Sequence, residues 1–266
     1  MTYFTDELDS KSNECYSVLV GDTAEKYHKL DTDFVDFIKE YNKIDFVTPS
    51  LIDGELLKRY GYFNLFPQHI SAVMPLDDNS YKNFNNEISN NSFMNVNKYL
   101  IPAACLHIYP AISQMNISTP TAITTLARVY RYERGDFDGL LREWDFSVRE
   151  IVFVGERCFV EEALIDIQSK ANLYALDSGI SVTLQYSNDM FFNDAKNRAL
   201  QKIQKANKMK VELITRINDK NVALASFNYH DTHFSKMFDF DCKSKIVTGC
   251  VGFGIGRWIK ALKGEI

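Results

Sequence analysis

The chain has 266 residues, of which 45% are hydrophobic and 24% are charged, and its formal net charge is −5. These values exclude a disordered chain, a collagen and a coiled coil, and the negative net charge argues against binding to a long nucleic acid. There is neither a secretory leader nor an uncharged apolar run of about 18 residues, so we expect a cytoplasmic protein with no membrane contact. The absence of a repeat or linker predicts one domain over residues 1–266.

In the first third of the chain, apolar residues at helical spacing predict an amphipathic helix over Thr32–Tyr41 and a short helix that ends at Gly61. The aromatic-rich stretch 61–76 predicts strand or loop. The Asn- and Ser-rich stretch 77–93 predicts an exposed loop with one helical turn.

In the remainder, apolar runs at 127–132 and 148–154 flank a polar loop and predict a long hairpin. A helix is predicted over Phe159–Leu176, with Gly179 as its stop. Further strands are predicted at 180–186, 210–215, 222–229 and 245–255, and further helices at 193–206 and 256–264. Strands dominate without regular β-α-β alternation, which predicts an α+β fold with a mostly antiparallel β-sheet flanked by helices.

The predicted hairpin carries several residues that suit nucleotide chemistry. They are Arg131 and Glu133 before the loop, Arg142 in or after it, and Phe146, Arg149 and Glu150 on the returning strand. Guanidinium groups offer planar forks of donors to phosphate oxygens, and an aromatic ring could cover a planar base. The alternative is a surface hairpin with arginine–glutamate pairs across its strands.

A second motif near the C-terminus alternates glycine with larger residues from Gly249 through Gly252, Gly254 and Gly256 to Arg257. Such glycines would clear one face of a strand, so that a flat ligand can lie against the backbone. Arg257 would stand at the start of the final helix. Glycines at this spacing are also common in tight strand packing.

Together, the two motifs resemble motif 2 and motif 3 of class II aminoacyl-tRNA synthetases, and the resemblance implies the catalytic core fold of that class. It implies that Arg131 binds the α-phosphate of ATP and that Arg142 and Arg257 bind the γ-phosphate. It further implies that Phe146 stacks on adenine and that Glu133 lies beside the adenine amino group. Arg131 and Arg257 would be the catalytic residues.

Five further segments narrow the resemblance: GYFNLFPQHI, LIPAACLHIYP, NDMFFND, ASFNYHDTHF and CVGFGIGRW. They are similar to amino acid:[carrier protein] ligases, which are relatives of atypical archaeal seryl-tRNA synthetases. The resemblance spans roughly Gly61–Leu262 and implies a zinc ion (Zn2+) held by Cys105, Glu150 and Cys250. Two thiolates and a carboxylate are good zinc ligands, and a fourth, open position can take the α-amino group of a substrate.

The other cysteines and the histidines have plainer interpretations. Free cysteines are commonly small buried apolar residues, which is the alternative for Cys105 and Cys250. It is also the default for the remaining cysteines, Cys15, Cys158 and Cys242. Three histidines near apolar stretches are interpreted as hydrogen-bonded structural residues rather than as bases: His107, His230 and His233.

The sequence departs from the synthetase pattern where magnesium (Mg2+) would bind with ATP. The stretch Asn221–Asn228 lacks the acid that class II enzymes place before motif 3, and Gly256 stands where an acid is common. Magnesium would therefore depend on Ser226 or Asn228.

The resemblance predicts ATP-dependent activation of a small amino acid as an aminoacyl adenylate. The sequence shows no length for a tRNA-binding appendage, so we expect the phosphopantetheine thiol of an acyl or peptidyl carrier protein as acceptor, with tRNA disfavoured. The basic segment Lys196–Lys210 is the candidate docking surface for that acidic partner, and a solvated helix face is the alternative.

Residues 1–60 are expected to form a helical dimerisation segment of a homodimer. Two alternative functions remain open. One is a non-catalytic synthetase paralogue that binds an amino acid or adenylate and regulates a partner. The other is a ligase that aminoacylates a small molecule, a peptide or tRNA.

Overall fold

The computed structural model describes residues 18–82, 92–115, 117, 120–132, 141–189, 209–240 and 245–263. Its centre is a seven-stranded sheet, and a three-stranded sheet lies beside it. The strands are β1 (Lys43–Asp45), β2 (Leu51–Asp53), β3 (Ala72–Val73), β4 (Lys98–Leu100), β5 (Thr121–Tyr130), β6 (Asp145–Gly155), β7 (Thr183–Tyr186), β8 (Lys210–Ile217), β9 (Lys220–Asp231) and β10 (Val247–Gly254).

Helices cover both faces of the large sheet. They are α1 (Asp22–Asp36), α2 (Gly54–Arg59), α3 (Tyr62–Leu65), α4 (Asp78–Lys82), α5 (Ile108–Met115), α6 (Arg157–Asp177), α7 (His233–Met237) and α8 (Ile255–Leu262), together with short 3-10 helices at Pro67–His69 and Ala104–His107. The described helices include none that is long and apolar enough to cross a membrane.

The large sheet has the strand order β1-β5-β6-β10-β9-β8-β7. Strand β1 runs parallel to β5, and every other neighbouring pair is antiparallel. The prediction of an α+β fold with a mostly antiparallel sheet flanked by helices is therefore confirmed. The predicted hairpin is the β5–β6 pair, in which Val129 lies opposite Phe146.

One face of the sheet packs on α1, α6 and α8 through the larger hydrophobic core. Phe34 of α1 stacks on Phe253 of β10, with their ring centroids 4.3 Å apart. The fully buried Trp258 of α8 donates a hydrogen bond from Nε1 to the carbonyl oxygen of Leu224. A second core around Tyr109 packs against the opposite face, where the site residues described below are found.

The N-terminal helix differs from its prediction over Thr32–Tyr41, because α1 begins at Asp22 and ends at Asp36. Its first half, up to Asp31, is largely polar and lacks the apolar periodicity that would have indicated a helix. Beyond Asp36 the backbone continues in turns, yet Ile38 is fully buried and still packs in the core.

The prediction of strand or loop over residues 61–76 is only partly correct, because α3 and a 3-10 helix occupy 62–69. Aromatic residues favour strands, but Tyr62 and Phe66 stand four residues apart and their ring centroids lie 4.9 Å from each other. That helical spacing lets the two rings pack on one side of the turn.

The other predicted elements agree with the structure where it describes them. Helix α2 is followed by Gly61 with φ of 69°, and α6 by Gly179 with φ of 77°, both in the left-handed region that favours glycine at helix ends. Helix α4 is the single turn predicted in 77–93. The helix predicted over 193–206 lies outside the described residues, and the single domain and the dimerisation role of residues 1–60 stay predictions.

Candidate active site

Cys105, Glu150 and Cys250 form one cluster, in which one ligand atom from each residue lies within 4.8 Å of the others. Zinc bonds of about 2.0–2.3 Å place the ligand atoms of a tetrahedral site about 3.3–3.8 Å apart. Cys250 and Glu150 are buried, at 5% and 6% exposure, whereas Cys105 is partly exposed. The three residues that the resemblance implies as zinc ligands are therefore brought together.

Strand register explains why two of these residues meet. Glu150 of β6 lies opposite Gly252 of β10, and Cys250 lies opposite Val152. Because side chains alternate between the faces of a strand, Glu150 and Cys250 are diagonal neighbours on one face. A Cβ atom added at Gly252 would lie 2.9 Å from Oε2 of Glu150, so the glycine leaves room for the carboxylate.

The electrostatics of the cluster favour a bound cation. Burial raises the pKa of Glu150 to about 7, while hydrogen bonds with both cysteines and the charge of Arg131 partly oppose that rise. The pKa of the Cys250 thiol lies well above its usual value because of its hydrogen bond with Cys105, its burial and the nearby Glu150 carboxylate. The buried Glu150 carboxyl group and the buried Cys250 thiol lie too close together for both to ionise readily without a cation between them. The donor set thus fits zinc.

The nucleotide-binding residues implied by motif 2 begin directly beside this cluster. The backbone N–H of Arg131 donates to the carbonyl oxygen of Trp144 over 3.0 Å, which extends the β5–β6 ladder by one residue. The guanidinium carbon of Arg131 lies 5.5 Å from the ring centroid of Phe146, and its Nε donates to the carbonyl oxygen of Pro102 over 2.8 Å. The predicted phosphate ligand and the predicted adenine platform are therefore neighbours.

The side chain of the motif 3 arginine packs over Gly254 on the site face, where an added Cβ atom would be 3.7 Å from Cδ of Arg257. Arg257 of α8 donates from Nε to the carbonyl oxygen of Leu141 over 3.3 Å, and from Nη1 to that of Ala223 over 3.0 Å. Arg142, the next residue after Leu141, is exposed. The structure thus brings Arg257 close to the backbone that carries Arg142, whereas Glu133 lies outside the described residues.

Arg149 does not belong with these arginines. It is 8% exposed and points to the face that packs on α1, α6 and α8, where its Nε donates to Oδ1 of Asp31 over 2.7 Å. Its Nη1 also lies 3.3 Å from Oγ1 of Thr124. Alternation along β6 explains this, because residues 149 and 150 must point to opposite faces.

The two candidate magnesium residues lie next to the zinc candidates. Nδ2 of Asn228 is 3.2 Å from Oγ of Ser226 and 3.7 Å from Sγ of Cys250. Register places Asn228 directly opposite Cys250 and Ser226 opposite Gly252. Both side chains therefore lie on the site face, and their role towards magnesium stays a prediction.

The glycines of the C-terminal motif do not clear a single face as predicted. Gly252 and Gly254 lie on the site face, but Gly249 lies on the other face, under α6. A Cβ atom added at Gly249 would be 2.9 Å from side-chain atoms of both Val160 and Leu164. Gly249 thus serves close helix packing, which was the alternative weighed for this motif.

The basic segment predicted as a docking surface lies mostly outside the described residues. At its end, Lys210 has a side chain that is only 12% exposed, and its Nζ pairs with Asp189 at 2.7 Å and with Glu212 at 3.2 Å. Lys210 therefore belongs to an ion-pair network at the site face and not to an exposed basic surface.

The structure adds a histidine to the cluster that sequence reasoning treated as structural. Nε2 of His230 lies 3.7 Å from Sγ of Cys250, and its Nδ1 lies near hydroxyl groups of Thr248 and Tyr109. Burial lowers the pKa of His230 to about 3, so the ring is neutral at physiological pH. Ser226, Asn228 and His230 are spaced two residues apart on one strand, and this spacing was the sequence signal that His230 shares a face with the other two.

Comparison with known proteins agrees with this architecture. The family model of the class II tRNA synthetase core domain (G, H, P, S and T) matches residues 89–265. Because that match covers more than half of the chain, the chain belongs to the class II tRNA synthetase core family.

The relatives of this chain include proteins of two kinds. The type-2 serine–tRNA ligase of Methanococcus aeolicus is 28% identical over 243 residues, covering 82% of this chain and 47% of that protein. The amino acid–[acyl-carrier-protein] ligase 1 of Bradyrhizobium diazoefficiens is 25% identical over 225 residues, covering 80% of this chain and 69% of that protein. The chain spans about half the length of the serine–tRNA ligases that it matches.

Solved structures support the fold. M. kandleri SerRS, crystallised with A. aeolicus tRNASec, superposes with a TM-score of 0.74 at 21% identity, over 90% of this chain and 52% of that one. Prolyl-tRNA synthetase from Cryptosporidium parvum superposes with a TM-score of 0.70 at 15% identity, over 98% and 48%. At these identities the likeness establishes the fold of the catalytic core.

Proposed function

We propose that this protein activates a small amino acid with ATP as an aminoacyl adenylate and transfers it to the phosphopantetheine thiol of an acyl or peptidyl carrier protein. The observation that carries the proposal is the position of the cluster of Cys105, Glu150 and Cys250 beside Arg131 and Phe146. Arg131 lies near enough to Glu150 for its charge to lower the pKa of that carboxyl group. An amino-acid site and a nucleotide site would thus adjoin.

Zinc held by Cys105, Glu150 and Cys250 would supply a Lewis-acidic position for the α-amino group of the substrate. The zinc cluster would bind the amino end of the amino acid, and Arg131 would lie near its carboxylate end. An amino acid bound by its amino group at the cluster would direct its carboxylate towards the phosphate held by Arg131. Positioning of this kind is the main contribution that a protein makes to adenylate formation.

In the first step, a carboxylate oxygen of the amino acid attacks the α-phosphorus of ATP and pyrophosphate leaves. Arg131 would stabilise the charge at the α-phosphate, while Arg142 and Arg257 would hold the γ-phosphate. Phe146 would stack on adenine, with Glu133 beside its amino group. Magnesium bound with ATP would depend on Ser226 or Asn228. In the second step, the acceptor thiol attacks the carbonyl carbon of the adenylate and AMP leaves.

The carrier protein as acceptor is supported by the similarity to the Bradyrhizobium ligase, which extends over 69% of that protein. The net charge of −5 also disfavours a long nucleic acid. Seryl transfer to tRNA is the second candidate, because the serine–tRNA ligase of Methanococcus aeolicus is 28% identical, compared with 25% for the carrier-protein ligase. A regulatory paralogue without catalysis would bind the same ligands but would release no pyrophosphate.

Amino-acid-dependent exchange between ATP and pyrophosphate tests the activation step. Zinc-loaded protein should support exchange with glycine or alanine. Cys105→Ser should lose both zinc and exchange, and Cys158→Ser is the matched control. The interpretation of Cys158 as a small buried residue is wrong, because Cys158 is exposed on α6 outside the cluster. Absence of exchange with every amino acid would contradict both ligase readings, and full zinc content in Cys105→Ser would contradict the metal site.

Mass spectrometry distinguishes the acceptors. Incubation with ATP, the amino acid and a holo-carrier protein should add the mass of one aminoacyl group to the carrier protein. Hydroxylamine, which cleaves thioesters, should remove it. The apo-carrier protein, which lacks the phosphopantetheine thiol, is the control and should stay unmodified. Charging of bulk tRNA instead would favour the second candidate. Light scattering of the same preparation tests the predicted homodimer.

A further inference from the structure

We propose that His230 is a positioning residue for Cys250, donating a hydrogen bond from Nε2–H to the sulfur atom and thereby fixing it as a metal ligand. This inference rests on the proposed function, because it presumes that the cluster of Cys105, Glu150 and Cys250 holds zinc. The distance from Nε2 to Sγ is 3.7 Å, which is within the range for a hydrogen bond to sulfur.

The surroundings of the imidazole ring assign its proton to Nε2. Nδ1 lies 3.2 Å from Oγ1 of Thr248 and 3.4 Å from the hydroxyl oxygen of Tyr109. Hydroxyl groups can donate or accept, whereas a metal-bound thiolate can only accept, so Nδ1 must be the acceptor if His230 contacts both the hydroxyl groups and the bound sulfur. A neutral imidazole carries one proton, and the other nitrogen then presents its N–H to Cys250.

The backbone is shaped to aim this side chain. Between β9 and β10 the register shifts, because Thr248 lies opposite Asp231 whereas Gly249 lies opposite Tyr229. His230 is therefore the extra residue of a β-bulge. Bulges re-aim side chains and are common beside active sites, and this one turns a histidine towards the sulfur atom.

A second donor approaches the same sulfur from the same strand. Nδ2 of Asn228 lies 3.7 Å from Sγ of Cys250. Two N–H groups would share the negative charge of a bound thiolate and hold its direction towards Cys105 and Glu150. Partners that orient metal ligands in this way commonly contribute roughly 10- to 100-fold to metal affinity.

The test compares His230→Phe, which keeps a planar ring without a donor, with His230→Gln, whose amide nitrogen can reach the place of Nε2. Zinc affinity is measured by chelator competition, and the thiolate-to-metal charge-transfer band is measured with Co2+. We expect about 10- to 100-fold weaker binding and a shifted band in His230→Phe, with recovery of most of both in His230→Gln. His233→Phe, a change at an exposed histidine on α7, should match the unaltered protein.

Three results would overturn the inference. The first is an unchanged affinity and band in folded His230→Phe, and the second is an unaltered protein that binds neither zinc nor Co2+. The third does not depend on any variant: ring 15N chemical shifts of the unaltered protein should show Nε2 protonated and Nδ1 unprotonated, and the opposite tautomer would exclude the donor. If the dependence on His230 holds but no exchange is found, the proposed function fails and the inference stands.

Discussion

The two faces of β10 have different roles: one packs in the hydrophobic core, and the other carries residues of the candidate site. Towards α1, α6 and α8 the strand presents Val247, Gly249, Val251 and Phe253, which belong to or pack against the larger core. Towards the site it presents Thr248, Cys250, Gly252 and Gly254. The same eight residues thus serve two purposes, because successive side chains of a strand point to opposite faces.

Because the two faces make different contacts, substitutions on them are expected to alter different properties. On the helix face the contacts are apolar and tightly packed, so a change in volume alters the free energy of unfolding. On the site face the contacts are among Cys250, Glu150, Asn228 and His230, which are polar or acidic groups crowded near one another. A change there is expected to alter ligand binding more than folding.

The largest effect is expected from Phe253→Ala on the helix face. Phe253 is fully buried and stacks on Phe34, so its truncation should lower the free energy of unfolding by about 3–5 kcal/mol. Urea denaturation followed by circular dichroism measures this loss. Zinc affinity of the protein that stays folded should be unchanged; a selective loss of zinc with normal stability would break the division between the faces.

The next effect is expected from Arg131→Ala on the site face. Removing one preorganised charged donor should reduce amino-acid-dependent exchange by about 100- to 1000-fold, while the melting temperature stays near that of the unaltered protein. Arg128→Ala is the matched control, because Arg128 lies on β5 three residues before Arg131 but points to the opposite face and pairs with Asp145. Equal losses of exchange in both variants would contradict the role of Arg131.

A pair of glycine variants sharpens the comparison within β10 itself. In Gly249→Ala the new methyl group meets Val160 and Leu164 of α6, which should cost about 1–3 kcal/mol of stability. In Gly252→Ala the methyl group meets the Glu150 carboxylate, which should weaken zinc binding by about tenfold. Denaturation and chelator competition on both variants should give opposite patterns, and the same pattern in both would argue against separate faces.

The smallest effect is expected from Leu173→Lys on α6. This leucine is 58% exposed on the outer side of the helix layer, so the change should alter stability by less than about 0.5 kcal/mol and leave exchange unaltered. Thermal denaturation and the exchange assay check both values. A large loss of stability would mean that another surface covers this side of α6.

Local sequence patterns predicted most of the fold, and the elements that were missed are those that local patterns do not mark. The β5–β6 hairpin and α6 follow from periodicity and from Gly179, but α1 begins among polar residues that carry no apolar period. The resemblance supplied Cys105, Glu150 and Cys250, and the structure brings them together. The spacing of Ser226, Asn228 and His230 indicates a shared face of β9, but the contact of His230 with Cys250 also depends on a register shift between β9 and β10 that neither strand reveals alone.

The order of the sheet has a consequence for how the molecule assembles. Strands β5 and β6 form a hairpin, and β7, β8 and β9 form a meander of sequential neighbours, so each half can form through contacts that are local in the chain. Strand β10 follows both halves in the sequence but lies between them, and its pairing requires contacts of long sequence separation, which form slowly. The site lies along this seam, with Glu150 from the hairpin and His230 from the meander. Acquisition of metal would therefore report the closing step of folding, and an intermediate without β10 would expose two unpaired strand edges, a recognised cause of aggregation.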